Sequence, residues 1–297
     1  MTIYTHAESN IRKTWILVSL FFVFIIGLGW IFSYVFQNQA ILIYAVVFSI
    51  VMNVASFWYS DKVVLALTKA RPIEKQDNPE LYRIVENLCI TAGLPLPRIY
   101  IIPEAQPNAF ATGRNAKHAV IAVTQGLLEK LDKQELEGVI SHELSHIGNK
   151  DMLLMTVVVV LVGFVSILSD MLMRSMLFGG MKKRDDRGSG QAGAILAVVG
   201  VVLMILSPLV AMLIQMAVSR KREFLADASG ALLTRYPEGL ARALAKIAAD
   251  PSPMKRVSTS TTHLYISNPL KGKSFSSFFL THPPVEQRIK ALREMQF

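Results

Sequence analysis

The stretch H-E-L-S-H at residues 142–146 places two metal-binding side chains beside a carboxylate. In an α-helix, residues four apart lie about one turn apart on the same face, so the imidazoles of His142 and His146 can reach one metal ion. Glu143, rotated by roughly 100° from His142, can act as a general base on a water molecule beside that ion. The spacing is typical of zinc peptidases, although two exposed histidines and a solvated glutamate would give the same letters.

A catalytic zinc site takes three protein ligands and keeps one position for water or substrate. The stretch R-E-F-L-A-D at residues 222–227 offers Glu223 as the third ligand. Asp227 follows four residues later on the same helical face, where it can accept a hydrogen bond from the free ring nitrogen of a metal-bound histidine. By itself Glu223 would be an ordinary charge paired with Arg222 or a lysine. The two histidines upstream favour the metal-binding interpretation.

The composition indicates a membrane protein with a soluble part. Of the 297 residues, 52% are hydrophobic and 18% are charged, whereas about a quarter of an average soluble protein is charged. The apolar residues gather in four runs that approach or exceed the roughly 20 residues needed to cross a bilayer. These predicted spans are, approximately, residues 15–36, 40–59, 152–173 and 192–218.

The charges argue against nucleic acid and nucleotide as partners. The net charge of +9 fits lysines and arginines beside anionic lipid, and no DNA- or RNA-binding pattern accompanies it. Residues 271–274, K-G-K-S, resemble the end of a phosphate-binding loop, but Ser267 stands where the upstream glycine is required. The sequence therefore predicts no nucleotide site and no use of ATP.

The charges that flank the first two spans predict their orientation. Arg12 and Lys13 precede the first span, Lys62, Lys69 and Arg71 follow the second, and the connection between the spans is uncharged. The positive-inside rule places both ends of this hairpin in the cytoplasm. The second pair either crosses fully, with its basic connection outside, or forms a hairpin that does not fully cross, and its length favours full crossing. Either way an even number of crossings leaves the two halves of the metal site on one side.

The segments outside the spans predict a domain assembled from two parts. Residues 79–93 form a helix with Asn78 as its cap, and three strands follow near residues 98–102, 108–112 and 118–123. Thr124 and Asp132 cap two further helices, of which the second carries the metal motif. Helices also begin near residues 219, 237 and 284. The predicted divisions are a membrane hairpin (1–60), the first part of the catalytic domain (61–151), a second membrane or membrane-embedded hairpin (152–218) and the second part (219–297).

Four motifs in this order resemble those of the HtpX membrane zinc peptidases. They are N-A-F-A-T-G at 108–113, S-H-E-L-S-H-I-G-N-K-D at 141–151, S-R-K-R-E-F-L-A-D at 219–227, and T-H-P-P at 281–284 followed by Arg288 and Ile289. The resemblance covers the whole chain and departs at no position expected to be catalytic. It implies an α-helical membrane protein with about four transmembrane helices and a mainly α (α+β) zincin-like metalloprotease domain carrying a small β-sheet.

The resemblance also implies a role in the cell. It indicates a gluzincin-type endopeptidase of the bacterial inner membrane, related to the prenyl-protein peptidases that cut CaaX termini and linked to quality control of membrane proteins. One Zn²⁺ ion would be held by His142, His146 and Glu223, with Glu143 as the base. The charge bias, and the metal helix that runs almost directly into the third span, predict cytoplasmic loops or tails of membrane proteins as substrates. A homo-oligomer is a possible assembly.

Two further roles follow from the same resemblance. Asn108, Ala109, Phe110 and Ala111 would form an edge strand that holds a substrate backbone in extended form, unless they are a plain structural strand. His282 would stabilise the oxyanion of the tetrahedral intermediate or bind zinc in a resting state, unless it caps the last helix.

Other functions remain in competition with this one. A specific maturation peptidase for a membrane or lipidated substrate uses the same chemistry, so the sequence does not separate it from a quality-control enzyme. A non-catalytic zinc-binding scaffold is disfavoured because structural zinc sites have four protein ligands and no use for a neighbouring base. A transporter is disfavoured because the spans carry almost no charged positions near their midpoints.

Overall fold

The computed structural model describes residues 3–35, 37–179, 202, 220–254, 260–267, 269 and 283–295. Two long helices, α1 (Ile3–Val35) and α2 (Ala40–Thr68), form an N-terminal hairpin. Both are long and apolar enough to cross a membrane, over Asn10–Tyr34 in α1 and over all 29 residues of α2. The first two predicted spans are therefore confirmed as helices of spanning length and composition.

The third predicted span falls on α6 (Asp151–Gly179), which packs against the hairpin. It follows α5 (Lys133–Gly148) after two residues, and the two helices meet at 86°, so together they count as one bent candidate span. Lys150, with φ of 57°, adopts the left-handed conformation at this corner. The fourth predicted span lies outside the described residues except for Val202, so the described part of the chain contains two candidate spans, or three with the bent pair.

The remaining elements are shorter α-helices and strands. They are β1 (Arg71–Pro72), α3 (Pro79–Ala92), β2 (Arg98–Ile102), β3 (Ala109–Thr112), β4 (Val120–Thr124), α4 (Gln125–Lys130), α7 (Arg220–Thr234), α8 (Pro237–Ala249) and α9 (Val285–Arg293). The side chains of Asn78 and Thr124 accept hydrogen bonds from backbone N–H groups in the first turns of α3 and α4. Asp132 and Glu135 form a reciprocal capping box that fixes the start of α5.

The four strands form one mixed sheet in the order β1-β2-β4-β3. Strands β2 and β4 run parallel, whereas β1 pairs antiparallel with β2, and β3 pairs antiparallel with β4. The sequence did not predict β1, which has only two residues. It also predicted that the last strand starts at His118, but Asn115 caps a 3-10 turn at Ala116–His118, and β4 begins two residues later. Strand β3 lies at the edge of the sheet, beside α5.

Helix α5 is central to the part of the fold beyond the hairpin, packed between β3, α7 and α8. Two glycines allow this close packing. A Cβ atom at Gly138 would lie 2.6 Å from the backbone nitrogen of Leu240, and one at Gly230 would lie 2.9 Å from that of His142. Because ordinary Cβ contacts are longer, the α5–α7 distance depends on Gly230.

Replacing Gly230 with alanine is expected to destabilise the protein. Alanine gains about 1 kcal/mol in helix propensity over glycine, but overpacking of this kind costs about 1–3 kcal/mol, and the obstructing atoms are backbone atoms of His142. Thermal unfolding should show a midpoint lowered by a few degrees. Gly148→Ala is the matched control, since that helical glycine is exposed with open space around it. Equal midpoints for the two variants would contradict the packing argument.

Candidate metal and catalytic site

Three predicted ligands from two helices meet at one point. His142 and His146 of α5 and Glu223 of α7 each offer a ligand atom, and these atoms lie within 4.8 Å of one another. The two Nε2 atoms are 3.2 Å apart, and carboxylate oxygens of Glu223 lie 3.9 Å and 3.7 Å from those of His142 and His146. Atoms bound tetrahedrally to one zinc ion at about 2.0–2.1 Å are roughly 3.3 Å apart. The three side chains thus face a common centre at nearly the required spacing.

Burial decides against the alternative of a solvated surface helix. His142 is 0% exposed, Glu143 is 1% exposed and His146 is 5% exposed. Polar groups withdrawn from water to this degree are costly unless they are paired or bind an ion. The capping box at the start of α5 and the contacts with β3 and α7 hold the motif in this position.

The outer nitrogen of each histidine contacts a carboxylate. His142 Nδ1 lies 2.9 Å from Asp227 Oδ1, as expected for a carboxylate that fixes the ring. Burial alone would raise the pKa of Asp227, but Arg288 outweighs it and lowers this pKa to about 2. Burial lowers the pKa of His142. Asp227 is therefore charged, and its contact with Nδ1 of His142 leaves Nε2 of that ring directed to the centre.

Arg288 of α9 holds Asp227 in place. Its Nε and Nη2 donate to the two oxygens of Asp227 at 2.8 Å and 2.7 Å, and its Nη1 donates to the carbonyl of Ile266 at 2.9 Å. This guanidinium is 0% exposed. No role for Arg288 is predicted from the sequence, where the only signal for this residue is its place after the T-H-P-P motif.

Asp151 is the carboxylate partner of the second histidine, which the sequence did not predict. His146 Nδ1 lies 3.0 Å from Asp151 Oδ2. Asp151 in turn accepts a hydrogen bond from Asn10 of α1, and Arg222 Nη1 donates to Asn10 Oδ1 at 3.1 Å. A buried chain of contacts therefore connects His146 to the first membrane helix. Asp151 stands at the end of the recognised motif, but no local pattern points to Asn10.

One oxygen of the Glu143 carboxylate is available to a further polar group. Oε2 of Glu143 is buried and has no hydrogen-bond partner among the residues that the structure describes. Burial raises the pKa of Glu143 to about 7, while the backbone N–H of Ala111 donates a hydrogen bond to its carboxylate. A general base works best with a pKa near the operating pH. Glu143 is thus suited to exchange a proton with a small molecule bound at this position.

The electrostatics also suit a cation at the centre. Burial lowers the pKa of His146, but Asp151 and the neighbouring carboxylates outweigh it and raise this pKa to about 9. The site therefore favours a positive charge on that ring, and a metal ion would take the place of the proton on Nε2. Two imidazole nitrogens and one carboxylate are a donor set that zinc accepts in catalytic sites.

The predicted substrate strand presents its backbone towards the site. In the antiparallel pair with β4, the N–H and C=O groups of Ala109 and Ala111 point to the free edge. There the carbonyl of Ala109 accepts a hydrogen bond from Ile266 at 3.0 Å. The side chains of the other two predicted residues are buried. Phe110 packs against Tyr265 with ring centroids 5.3 Å apart. The Asn108 side chain donates a hydrogen bond to the carbonyl of Ser267 and accepts one from its N–H. His282 lies outside the described residues.

The site has the arrangement of a metalloprotease: two imidazoles and a carboxylate surround one centre, and a second carboxylate is placed to act as a base. The apolar hairpin indicates that this metalloprotease is a membrane protein. The sequence pattern of peptidase family M48 matches residues 75–296. The chain belongs to this family of metalloproteases, and the predicted enzyme class is confirmed.

Full-length relatives support the same assignment. The chain is 48% identical to the Protease HtpX homolog of Syntrophobacter fumaroxidans, over 97% of this chain and 99% of that one. It is 46% identical to the Protease HtpX homolog of Thermococcus sibiricus, over 95% and 96%. The crystal structure of Ste24p from S. mikatae is similar in fold, with a TM-score of 0.51 and 21% identity over 95% of this chain and 67% of that one. The resemblance to HtpX peptidases is therefore confirmed.

Proposed function

We propose that this membrane protease uses one zinc ion to cut peptide bonds in misfolded or damaged membrane proteins, without ATP. The observation that carries the proposal is the pairing of a three-ligand centre with a buried base. His142, His146 and Glu223 converge on one point, and Glu143 Oε2 is left without a partner among the described residues. A scaffold needs the ligands but not the base.

The side chains divide the chemistry among them. When bound, the metal ion supplies a Lewis acid that polarises the scissile carbonyl and acidifies nearby water. Glu143 takes a proton from the attacking water and passes it to the leaving amine. Asp227 and Asp151 hold the rings of His142 and His146 in the orientation that directs Nε2 to the centre. His282 keeps the oxyanion-stabilising role proposed for it.

Substrate would bind as an additional strand on β3. The backbone groups of Ala109 and Ala111 at the free edge are spaced for an extended chain. In the free protein the Ala111 N–H donates to Glu143, and the Ala109 N–H donates to Asn108 Oδ1 at 3.2 Å. Ile266 already occupies the carbonyl of Ala109, so a substrate would compete with residues 260–267 for this edge. Because these contacts are made by backbone, they fit many sequences, as removal of damaged proteins requires.

We further propose that the site lies on the cytoplasmic side of a bacterial inner membrane, in a multi-pass chain divided at residues 60, 151 and 218. The charges around the first hairpin support this orientation. The contact between Asn10 and Asp151 supports a position close to the membrane surface, because it joins the site to the beginning of the apolar stretch of α1.

One reconstitution experiment tests the proposal. The full chain is placed in vesicles with a membrane protein in two forms, the folded parent and a variant with a destabilised cytoplasmic loop. We expect faster cleavage of the destabilised form, no effect of ATP, and a loss of about 100-fold or more after chelation, since Lewis-acid catalysis contributes several kcal/mol. Zn²⁺ should restore activity.

The other outcomes would identify the competing functions. Cleavage of both forms at one site and at one rate would indicate a specific maturation peptidase. An absence of cleavage in the zinc-loaded protein would indicate a scaffold.

A further inference from the structure

A cavity whose lining includes none of the metal-centre residues lies beside α2. It has a volume of about 560 Å³ and opens between the last turns of α2 and the connection from β3 to β4. Its lining includes four cationic side chains and one carboxylate, in addition to His118. The cations are Lys62, Arg98, Arg114 and Lys117. We refer to this cavity as the basic cleft.

Most of the positive charge in the basic cleft is not neutralised by its carboxylate. Arg98 pairs with Asp61 at 2.9 Å. The Arg114 guanidinium lies 4.2 Å from the ring centroid of Trp58, and its Nη2 lies 2.8 Å from His118 Nε2. Aromatic stacking and a histidine position this guanidinium without cancelling its charge. The basic cleft therefore has a net positive charge suited to an anion.

Exposed aromatic side chains indicate where the basic cleft lies relative to a bilayer. Tryptophan and tyrosine favour the headgroup level at both membrane surfaces. The hairpin has two such groups, each at least half exposed: Trp15, Trp58 and Tyr59 near its open end, and Trp30, Tyr34 and Tyr44 near its turn. At 1.5 Å per residue the groups are about 21–28 Å apart, close to the roughly 30 Å hydrocarbon thickness. Trp58 and Tyr59, which line the basic cleft, thus fall at headgroup level.

An apolar stripe leads along α2 to the basic cleft. Val47, Val51, Val54 and Trp58 recur at helical spacing on one face, and each is more than half exposed. An acyl chain lying on this stripe would place its headgroup beside Trp58 and Arg114. This continuity favours a lipid as the occupant over a phosphate free in solution.

We propose that the basic cleft binds the phosphate headgroup of an anionic phospholipid. Arg114 and Lys117 contact the phosphate oxygens, Trp58 and Tyr59 flank the glycerol region, and the stripe on α2 carries an acyl chain. Arginine and lysine near a membrane surface contribute about 1 kcal/mol each to binding anionic lipid, which is roughly five-fold per residue. The proposal does not rest on the proteolytic function, since none of these side chains belongs to the metal centre.

Lipid titration of the purified full chain tests this site. Native mass spectrometry would give apparent affinities for phosphatidylglycerol, for phosphatidylcholine and for inorganic phosphate. We expect a preference for phosphatidylglycerol, and a loss of roughly twenty-five-fold in the double variant Arg114→Gln, Lys117→Gln. The control Lys133→Gln, Lys290→Gln removes equal charge from two exposed lysines outside the basic cleft and should bind as the parent does. The charge-conserving pair Arg114→Lys, Lys117→Arg should retain most of the binding.

Several results would overturn the proposal. These are equal affinity for the two lipids, equal losses in the double variant and its control, and full displacement of phosphatidylglycerol by inorganic phosphate. The last result would show a site for free phosphate rather than for lipid.

Discussion

The Glu143→Gln variant is expected to bind metal as the parent does and to lose nearly all peptide hydrolysis. The amide has almost the shape of the carboxylate, so the ligands His142, His146 and Glu223 stay in place, but it cannot take a proton from water. General-base catalysis contributes about 10²–10⁴-fold, and we expect a rate loss of at least that size. The measurements are the initial rate on one substrate and the metal content of the same preparation.

Glu137→Gln is the matched control for this prediction. Glu137 lies on the same helix, outside the metal centre, where it pairs with Lys133 at 3.9 Å. Exposed pairs of this kind contribute at most about 1 kcal/mol, so its rate should equal that of the parent. Near-full proteolysis by Glu143→Gln would remove this residue from the mechanism, and loss of metal would instead make it a ligand.

The His146→Ala variant is expected to lose the metal ion itself. The substitution removes one of three ligands, and two protein ligands do not hold a catalytic zinc. It also removes the histidine partner of Asp151, whose carboxylate is 1% exposed. Metal analysis of the purified protein should fall from about one ion per chain to near zero, and activity should fall with it.

A graded series separates loss of a ligand from loss of its orientation. Asp151→Asn keeps all three ligands but weakens the acceptor for His146 Nδ1, so metal affinity should fall about 10–100-fold rather than disappear. His118→Ala removes a histidine that lies outside the metal centre, on an exposed turn, and should leave the metal content unchanged. A full complement of metal in His146→Ala would refute the proposed ligand set.

Local patterns account for what the sequence predicted correctly. The caps at Asn78, Thr124 and Asp132 depend on neighbouring residues, and the four-residue spacing in α5 and α7 places side chains on one face whatever the rest of the fold does. Membrane helices α1 and α2 follow from length and hydropathy alone. The convergence of His142, His146 and Glu223 was predictable because each of the two helices carries its polar side chains within five residues.

Contacts between distant segments account for what the sequence did not predict. Asn10 lies 141 positions from Asp151, and nothing near either residue announces the contact. The 86° corner between α5 and α6 is made by Lys150, although glycine or asparagine usually marks a left-handed residue. Strand β1 has two residues and no alternating pattern. Each of these features is set by packing across the fold.

The buried contact chain from His146 through Asp151 to Asn10 joins two equilibria that are usually treated separately. Metal ligation at His146 is strengthened when Asp151 holds the ring, and Asp151 is held in turn by Asn10 of α1. Thermodynamic linkage is reciprocal. If the docking of α1 strengthens metal binding by a given free energy, bound metal strengthens the docking of α1 by the same free energy. Metal occupancy and the docking of the first membrane helix are thus coupled, so that a change in one shifts the other.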